Sequence, residues 1–549
     1  MVSGALGARQ RWVALMVLIF ALMVIGIDGS ILNVALPTLS RDLHATTSDL
    51  QWMVDAYILV FAGLLLTAGS LGDRFGRRGA LVLGLVIFGV ASAAAALSST
   101  TEQVIAFRAL MGIGAAFIMP ATLSIITNVF TEPRERARAF GVWAAVSAIG
   151  SALGPVIGGL LLAHFWWGSV FLVNVPIVVI VIPLSYAFIP TSRDPHPHRL
   201  DLLGSLLSIV GLSVLLWAII GAPDRGWTST ASIVGFAAAV LTIGAFVLWE
   251  LHNPEPMLDM TFFRDPRFTV ASLAIMMAFF AVVGGLFLNS QMYQIVFGYS
   301  PLETGVRLLP FVTAYILAAF AAPRIAESTG SKWIVSGGLA LAGVGLLIQA
   351  GVQVDSSYFR AIIGLIVMAA GMGLATPSAT ESIMGSLPRE KAGVGSAMND
   401  TTRQMGGALG VAVMGSILAS QFHSSMTDAT STRGIPPNLL AQARDSAVAA
   451  IALAERVGGP TGEALLAVVR HSWLHGKNTA TVVAAVMVLA GALLAFLYLP
   501  AQALHHHLNP TEYLPTEIVI DDDEVPDADA PGPDASGPDA PGGVRDSVP

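Results

Sequence analysis

The chain has 549 residues, of which 54% are hydrophobic and only 12% are charged. Soluble proteins average about 25% charged residues, so a chain this apolar must be solvated largely by lipid. It contains no cysteine, which excludes disulfide bonds and thiolate metal sites. The formal net charge is −8, but residues 509–549 hold eleven acidic residues and one arginine, so the remainder carries +2. The arginines are spread thinly over short loops, so nothing supports a nucleic-acid partner.

Fourteen apolar segments are long enough to cross about 30 Å of hydrocarbon, which takes about 20 residues of helix. They are residues 12–37, 49–70, 80–98, 103–126, 139–162, 167–189, 202–221, 231–250, 268–293, 305–325, 333–351, 358–381, 393–419 and 478–499. The first has no small-residue cleavage site before the next segment, so we expect it to remain as a membrane anchor. The sequence therefore predicts an all-α membrane protein with fourteen transmembrane helices.

Basic residues are distributed unevenly between the alternate loops that join these segments. Three fall in the short loops on one side, namely Arg41, Arg225 and Arg360. Sixteen fall on the side of both termini, namely Arg9, Arg11, Arg74, Arg77, Arg78, Arg134, Arg136, Arg138, Arg193, Arg199, Arg264, Arg267, Arg324, Lys332, Arg389 and Lys391. Cytoplasmic loops are enriched in lysine and arginine, so both termini are predicted to be cytoplasmic.

Two short motifs recur with the same offset of eight segments. Gly150-Ser-Ala-Leu-Gly154 in the fifth segment returns as residues 406–410 in the thirteenth, and Gly112-Ile-Gly114 in the fourth returns as residues 371–373 in the twelfth. Chance recurrence of glycine and alanine patterns in apolar helices is the less favoured alternative for either pair, and the shared offset weakens it further. The pattern favours two parallel six-helix halves with two helices inserted between them. The predicted domains are a first bundle at 1–195, two inserted helices at 196–262, a second bundle at 263–500 with an extracellular loop at 420–477, and a tail at 501–549.

The composition changes after Pro500. Residues 521–549 are acidic, rich in proline and glycine, and of low complexity. Such a segment cannot bury enough apolar surface to fold, so residues 501–549 are predicted to form a disordered cytoplasmic tail.

A short basic loop joins the second and third segments. Residues 69–78 read Gly-Ser-Leu-Gly-Asp-Arg-Phe-Gly-Arg-Arg, in which the glycines allow a tight turn and the arginines mark the cytoplasmic side. The pattern resembles the loop between helices two and three of major facilitator superfamily transporters, G-x-x-x-D-R-x-G-R-R. The resemblance implies a gating loop, which influences which face of the protein is closed. Its residues are Gly69, Gly72, Asp73, Arg74, Gly76, Arg77 and Arg78.

Three ionisable residues lie inside the predicted spans of the first half. Inserting such a side chain at the centre of a membrane helix costs about 2.5–3.5 kcal/mol of free energy, so each of the three is expected to have a structural or functional role. Asp28, Asp55 and Arg108 lie at similar depth in the outer half of spans one, two and four, where they can pair. One interpretation is a protonatable carboxylate beside an arginine, and the other is a fixed ion pair that only holds helices together. For Asp55, hydration near the outer interface is a further alternative.

Three further strings resemble the fourteen-helix drug:proton antiporters of that superfamily. Asp28 opens a string similar to the first-helix signature D-x-x-I-x-N-x-A-L-P, and Arg108 stands in a string similar to the fourth-helix motif, where the arginine is implicated in proton transfer. The fifth span resembles the antiporter motif G-x-x-x-G-P-x-x-G-G, which is associated with exporters. Ordinary small-residue packing explains part of this string but not all of it. Its motif residues are Gly150, Gly154, Pro155, Gly158 and Gly159.

The thirteenth span holds a polar cluster at residues 399–404 that resembles an N-x-x-R-Q string of the family. Asp400 and Arg403 are three residues apart and share one helix face, so they can neutralise each other. Glu381 ends the twelfth span, and we interpret it as interfacial, with a cation-attracting cavity carboxylate as the alternative. The candidate cavity or second-coupling residues are Asn33, Glu381, Asn399, Asp400 and Arg403.

The resemblance implies a proton-coupled antiporter that exports drugs, antibiotics or other toxic organic compounds across the bacterial plasma membrane by alternating access. It implies no enzymatic activity, cofactor or metal, and no phosphate-binding Gly-x-x-x-x-Gly-Lys-Ser/Thr loop is present in the sequence. The expected partners are a small organic substrate, protons and the lipid bilayer, and the expected functional unit is a monomer. The alternatives are a dedicated exporter of one endogenous metabolite, such as a self-made antibiotic or siderophore, and a non-transporting membrane receptor or scaffold, which would not need charges inside the bilayer.

Overall fold

The structure is a computed structural model that describes residues 7–193, 201–256, 258–387, 392–428, 443 and 446–500. The tail predicted at 501–549 lies outside these residues, as do Arg199, Arg389 and Lys391 of the charge count. Within the described ranges the regular structure is helical, as the all-α prediction requires.

The helices follow one another through short connections. In chain order they are α1 (Ala8–Leu43), α2 (Thr47–Phe75), α3 (Arg77–Ala96), α4 (Thr101–Val129), α5 (Pro133–His164), α6 (Ser169–Leu172), α7 (Asn174–Phe188), α8 (Leu202–Arg225), α9 (Thr230–His252), α10 (Pro266–Ile295), α11 (Pro301–Arg307), α12 (Leu309–Thr329), α13 (Ser331–Ala350), α14 (Tyr358–Gly385), α15 (Ala392–Asp428), α16 (Ala447–Val457) and α17 (Gly459–Tyr498). A short 3₁₀-helix at Met260–Arg264 precedes α10.

Thirteen helical segments in the described ranges are long and apolar enough to span a membrane. The remaining predicted span is α5, whose 32 residues end in the apolar stretch Ile149–His164. The prediction of a fourteen-helix membrane protein is therefore confirmed. Two spans are interrupted, the sixth at Val173 and the tenth at Leu308. Pro176 and Pro310 follow these breaks closely, and proline lacks the N–H that would continue the helical hydrogen bonds.

The structure differs from the predicted extracellular loop at 420–477. Helix α15 runs on to Asp428, α16 forms at Ala447–Val457 within this stretch, and α17 begins at Gly459, well before the span predicted at 478–499. The early turns of α17 carry Arg470 and Lys477 among other polar residues. These two residues lower the local hydropathy, but arginine and lysine are good helix formers, so the helix begins before the hydropathy signal does.

Local sequence signals set the turn between α2 and α3. Helix α2 begins with a capping box in which Thr46 accepts from the Asp49 N–H and Asp49 accepts from the Thr46 N–H. It ends at Gly76, whose φ of +124° lies in a region that side chains rarely allow, and α3 starts at the next residue. A single glycine therefore reverses the chain between two spanning helices.

Two groups of helices pack around separate centres. In α1–α7, here called the first half, α1 packs on α5 while α4 packs on α2 and α3. In α10–α17, here called the second half, α10 packs on α15 while α14 packs on α12 and α13. The paired glycines of the repeat lie at these contacts, since Gly112 and Gly114 face α2 and α3, and Gly371 and Gly373 face α13 and α12. The exact domain bounds stay a prediction.

The inserted helices α8 and α9 pack on each other, and α8 also contacts both halves. Ser205 of α8 hydrogen-bonds Thr67 of α2, whereas the Ile219 carbonyl of α8 accepts from Ser416 of α15 at 3.0 Å. Asp201 caps α8 through the Gly204 N–H. Its partial burial raises the pKa of Asp201, but hydrogen bonds from Gly204, Trp249 and Asn253 outweigh that effect and hold the pKa below its usual value.

Candidate functional site

The two halves are hydrogen-bonded to each other at one end of the molecule. We call it the Ser40 end, where α1 finishes and α2 begins, and we call the opposite end, with the α2–α3 turn, the Arg77 end. Ser290 Oγ donates to the Asn33 carbonyl at 2.6 Å, and Gln294 donates to the Val34 carbonyl at 3.0 Å. Gln51 of α2 donates to the carbonyl of Ala412 in α15 at 2.9 Å. These bonds close the Ser40 end between α1 and α10 and between α2 and α15.

The antiporter-like string adds a third contact between the halves. A Cβ at Gly159 of α5 would lie 2.5 Å from Leu302 Cα, and a Cβ at Gly305 of α11 would lie 2.2 Å from the Pro155 carbonyl oxygen. Only glycine permits this approach, because any side chain would displace backbone. Helix α5 therefore reaches across to α11 of the second half.

A cavity of about 490 Å³ lies between the halves and is lined by residues of both. Most of its wall is apolar or aromatic, as is usual for small-molecule sites. Its larger apolar lining residues include Leu22, Ile25, Phe61, Met119, Phe279, Leu286 and Phe311. Its polar lining residues are Ser30, Asn33, Tyr57, Arg108, Ser151, Tyr315, Thr376, Asp400, Arg403 and Gln404. The cavity thus combines adaptable apolar surface with a few charged groups.

Asp28 and Arg108 form a buried ion pair beside this cavity. Asp28 is fully buried and Arg108 is 1% exposed. Arg108 Nη1 donates to Asp28 Oδ2, its Nε donates to the Met53 carbonyl at 2.9 Å, and its guanidinium lies 4.3 Å from the centre of the Tyr57 ring. Arg108 lines the cavity, whereas Asp28 lies behind it. The pairing expected from the similar depths in spans one and four is present.

Asn174 and Ser92 complete the surroundings of Asp28, and sequence reasoning missed both. The Asn174 amide nitrogen donates to Asp28 Oδ1 at 3.2 Å and to Ser92 Oγ at 3.1 Å. Both residues are fully buried. An asparagine in an otherwise apolar sixth span was the available signal, because a buried amide needs hydrogen-bond partners.

Asp55 does not join the pair, contrary to the expectation that all three residues meet. It is fully buried, which also removes the alternative of hydration near the interface. Neither carboxylate oxygen of Asp55 has a hydrogen-bond partner in the part of the chain that the structure describes. Asp55 lies one helical turn from Gln51, so its side chain points along the same face of α2, toward α15. An ionised carboxylate there would lack a compensating donor.

The glycines of the antiporter-like string hold α5 against α1 beside Asp28. Gly150 lies against Gly26, and Gly158 lies against Ile31. A Cβ at Gly154 would lie 2.8 Å from the Ile27 carbonyl oxygen and 2.9 Å from the Ile31 nitrogen. Residues four apart form one face of a helix, so these three glycines make a flat strip for α1. One face of this part of α5 therefore packs against α1, and another packs against α11.

A second charged cluster lies in the wall formed by the second half. Asp400 and Arg403 are 3.8 Å apart between carboxylate oxygen and Nη1, and both line the cavity. Arg403 Nη2 also donates to Thr380 at 3.1 Å, and its guanidinium lies 5.4 Å from the centre of the Phe279 ring. The Asn399 amide satisfies both neighbours in one orientation, donating to Thr380 and accepting from Arg403 at 3.3 Å. The structure thus brings Asn399, Asp400 and Arg403 together as the sequence suggested.

The remaining two candidates, Asn33 and Glu381, differ in whether they line the cavity. Asn33 lines the cavity, and its buried side-chain oxygen has no hydrogen-bond partner among the described residues. Glu381 is exposed near the end of α14 and does not line the cavity. The interfacial interpretation of Glu381 therefore fits the structure better than the cavity interpretation.

The basic loop lies at the Arg77 end and contacts the end of the sixth span. Arg77 Nε donates to Asp73 Oδ1 at 2.7 Å, and the Arg77 backbone N–H donates to the Ser192 carbonyl at 2.9 Å. Arg78 donates to the Ile189 carbonyl at 3.1 Å. Arg74 lies over the neighbouring Phe75 ring at 5.7 Å. The remaining glycines pack closely, with Gly69 facing Pro120 of α4 and Gly72 facing Ala80 of α3.

Comparisons with known proteins agree with this arrangement. Residues 18–411 match the family model described as Major Facilitator Superfamily. The chain is 35% identical to the multidrug efflux pump LfrA of Mycolicibacterium smegmatis, over 88% of this chain and 95% of LfrA. It is 34% identical to the methyl viologen resistance protein SmvA of Salmonella typhimurium, over 87% of this chain and 96% of SmvA.

Among solved structures, the fold is similar to that of a bacterial homolog of the human lysosomal transporter Spinster in an inward-facing and unoccupied conformation. The TM-score is 0.64 at 18% sequence identity, with 90% of this chain and 97% of that chain covered. The chain belongs to the major facilitator superfamily.

Proposed function

We propose that this protein exports small, largely apolar organic compounds, including drugs and antibiotics, in exchange for protons. The observation that carries the proposal is the buried Asp28–Arg108 pair, whose arginine lines a cavity of about 490 Å³ shared by both halves. A carboxylate is a suitable proton carrier, and a buried one is rare unless it has a function or a partner. The efflux and resistance relatives support the direction of transport.

The mechanism is alternating access by rocking of the two halves about the cavity. With the positive-inside assignment, the Ser40 end faces the outside and the Arg77 end faces the cytoplasm. The bonds of Gln51, Ser290 and Gln294 then close the outer side, so substrate enters from the cytoplasm. To release it outside, these bonds and the α5–α11 contact must separate.

The proton step acts on the ion pair. Protonation of Asp28 removes the negative charge that holds Arg108, and its reversal restores the pair. Asp400 and Arg403 provide a second carboxylate–arginine pair, on the opposite wall of the same cavity. Asp55 belongs to the seam between α2 and α15 and is proposed to report on whether that seam is closed. We propose that the protein works as a monomer in the bacterial plasma membrane, without nucleotide or nucleic acid.

Transport in liposomes tests this function directly. Purified protein in vesicles with an imposed pH gradient should concentrate a lipophilic dye against its gradient, and an uncoupler should abolish the accumulation. A panel of unrelated toxic compounds should compete with the dye. Competition by a single compound would favour a dedicated metabolite exporter. Absence of any substrate movement would support the receptor or scaffold alternative.

The orientation gives a second prediction. Because the basic loops lie on the side of both termini, protease added to intact cells should leave the tail at residues 501–549 uncut. Permeabilised cells provide the control, in which the same protease should remove the tail. Cleavage in intact cells would place the tail outside and contradict the predicted cytoplasmic side of the C-terminus.

The basic loop at residues 69–78 gives a third prediction. Asp73→Ala and Arg77→Ala should lower the maximal transport rate several-fold and leave the apparent KM within about twofold, because the pair lies far from the cavity and acts on exchange between states. Arg74→Ala is the comparison, since Arg74 is exposed and lies over the ring of its neighbour Phe75, so its loss should have a smaller effect. A raised KM with an unchanged rate would show that the gating role is wrong.

A further inference from the structure

Asn174 occupies the break in the sixth span, at the first residue of α7. It is fully buried, and its amide nitrogen contacts Asp28 Oδ1 at 3.2 Å and Ser92 Oγ at 3.1 Å. Ser92 Oγ in turn lies 2.8 Å from the Phe171 carbonyl oxygen. A chain of hydrogen bonds thus runs from the Phe171 carbonyl of α6 through Ser92 of α3 and Asn174 of α7 to the Asp28 carboxylate of α1.

The chemistry of these groups fixes the direction of every bond. The Phe171 carbonyl can only accept, so the single Ser92 hydroxyl hydrogen is used there. Ser92 must then accept from Asn174, which places the amide NH₂ toward both Ser92 and Asp28. Both amide hydrogens are committed, and the amide cannot turn its oxygen to Asp28 without breaking both bonds. Asp28 Oδ1 therefore always faces a donor.

We propose that Asn174 is a positioning residue that directs the transported proton to Oδ2 of Asp28, the oxygen that binds Arg108. A proton on Oδ1 would oppose the Asn174 N–H, which has no lone pair to accept it. A proton on Oδ2 takes the place of the Arg108 hydrogen bond. Proton and guanidinium then compete for one atom, so that protonation must release Arg108. The inference rests on the proposed proton-driven export.

The consequence is tight coupling between protonation and the cavity wall. Without Asn174, the proton has a second position on Oδ1, where Asp28 keeps accepting from Arg108 through Oδ2. Protonation then no longer frees the arginine. When freed, the guanidinium is still held by the Met53 carbonyl and the Tyr57 ring, so its terminal nitrogens stay at the cavity surface. Protonation of Asp28 thereby leaves the positive charge of Arg108 without its carboxylate partner at the surface of the cavity where substrate binds.

Few charged groups surround the Asp28 carboxylate. Arg108 from α4 and Tyr57 from α2 are the titratable or charged groups that face Asp28 in the contacts described above. Helix α5 presents Gly150 and Gly154 to this part of α1, and α3, α6 and α7 contribute a hydroxyl, a carbonyl and an amide. The choice of oxygen is therefore set by hydrogen-bond direction rather than by further charges.

The experiment compares two modes of transport in vesicles. Substrate–substrate exchange at equal pH needs the conformational cycle but no net proton movement, whereas uphill accumulation needs coupling to the pH gradient. Asn174→Leu should leave exchange within about twofold of wild type and lower gradient-driven accumulation about tenfold or more, the effect expected for loss of a donor to a charged group. Asn289→Leu is the matched control, because Asn289 is also buried, at 4% exposure, but its amide donates to the Gly285 carbonyl of its own helix and not to a charged group.

A second variant covers the case in which leucine prevents folding. Asn174→Ala removes the donor without adding a charge or a larger side chain, and it should show the same selective loss of gradient-driven accumulation. Equal loss of both transport modes in the folded variants, or full retention of gradient-driven accumulation, would overturn the proposal. If wild-type protein exchanges substrate but ignores the pH gradient, the proposed proton coupling itself fails, and this inference fails with it.

Discussion

Asp28→Asn is expected to reduce proton-driven export to the background of cells without the protein. Asparagine preserves the size of the side chain but cannot take up or release a proton. It also offers one acceptor where the carboxylate offers two, so either Arg108 or Asn174 loses its bond. Removing one partner of a buried ion pair costs about 3–5 kcal/mol, so some loss of thermal stability should accompany the loss of export.

The measurement is uncoupler-sensitive dye efflux from cells that make the variant at wild-type level. Asp355→Asn is the control, because Asp355 is an exposed carboxylate between α13 and α14 and should export normally. Unchanged efflux by the Asp28 variant would move the coupling role to Asp55 or Asp400. Asp28→Asn, unlike the Asn174 variants, should also be inactive at every imposed gradient.

Gly154→Ala is expected to abolish export and destabilise the folded protein by about 1–3 kcal/mol, the usual cost of overpacking. The added methyl group would lie 2.8 Å from the Ile27 carbonyl oxygen and 2.9 Å from the Ile31 nitrogen. These atoms belong to the backbone of α1, so they cannot turn aside as a side chain would. The substitution therefore forces α1 away from α5 at the position of Asp28.

Gly141→Ala on the same helix provides the control for this prediction. A Cβ at Gly141 meets no atom within 4 Å, and alanine is the better helix former by about 0.5–1 kcal/mol. Thermal unfolding in detergent and dye efflux should therefore be unchanged or slightly improved. Similar losses in both variants would show that α5 needs glycine for flexibility rather than for close packing.

The spanning helices and the Asp28–Arg108 pair could be predicted because both follow from one-dimensional rules. Apolar length gives the spans, and equal depth in neighbouring spans brings charges to one level. The same rules placed Asp55 with them, but depth does not say which way a helix face points. Asp55 shares the face of Gln51 and looks toward α15, whereas Arg108 meets α2 at Met53 and Tyr57.

The polar partners of Asp28 could not be found in this way. Asn174 and Ser92 lie in different spans, and each resembles an isolated polar residue in an apolar stretch. Their role depends on three helices meeting, which only the packing reveals. The early start of α17 was missed for the opposite reason, because its first turns are helical but too polar for a hydropathy signal.

The attachment of α8 to both halves has a consequence for the resting state of the transporter. Ser416 of α15 bonds α8 through the Ile219 carbonyl and also accepts from Gln51 of α2, so three helices meet at one hydroxyl near the Ser40 end. At its other end α8 is bonded to α2 through Ser205 and Thr67. Because α8 cannot follow both halves when they separate, opening must break this joint, at about 0.5–1.5 kcal/mol for each hydrogen bond. An empty transporter built in this way favours the form that is closed at the Ser40 end. To make the open form the more populated one, a substrate or a proton must bind the open form more tightly by at least that amount.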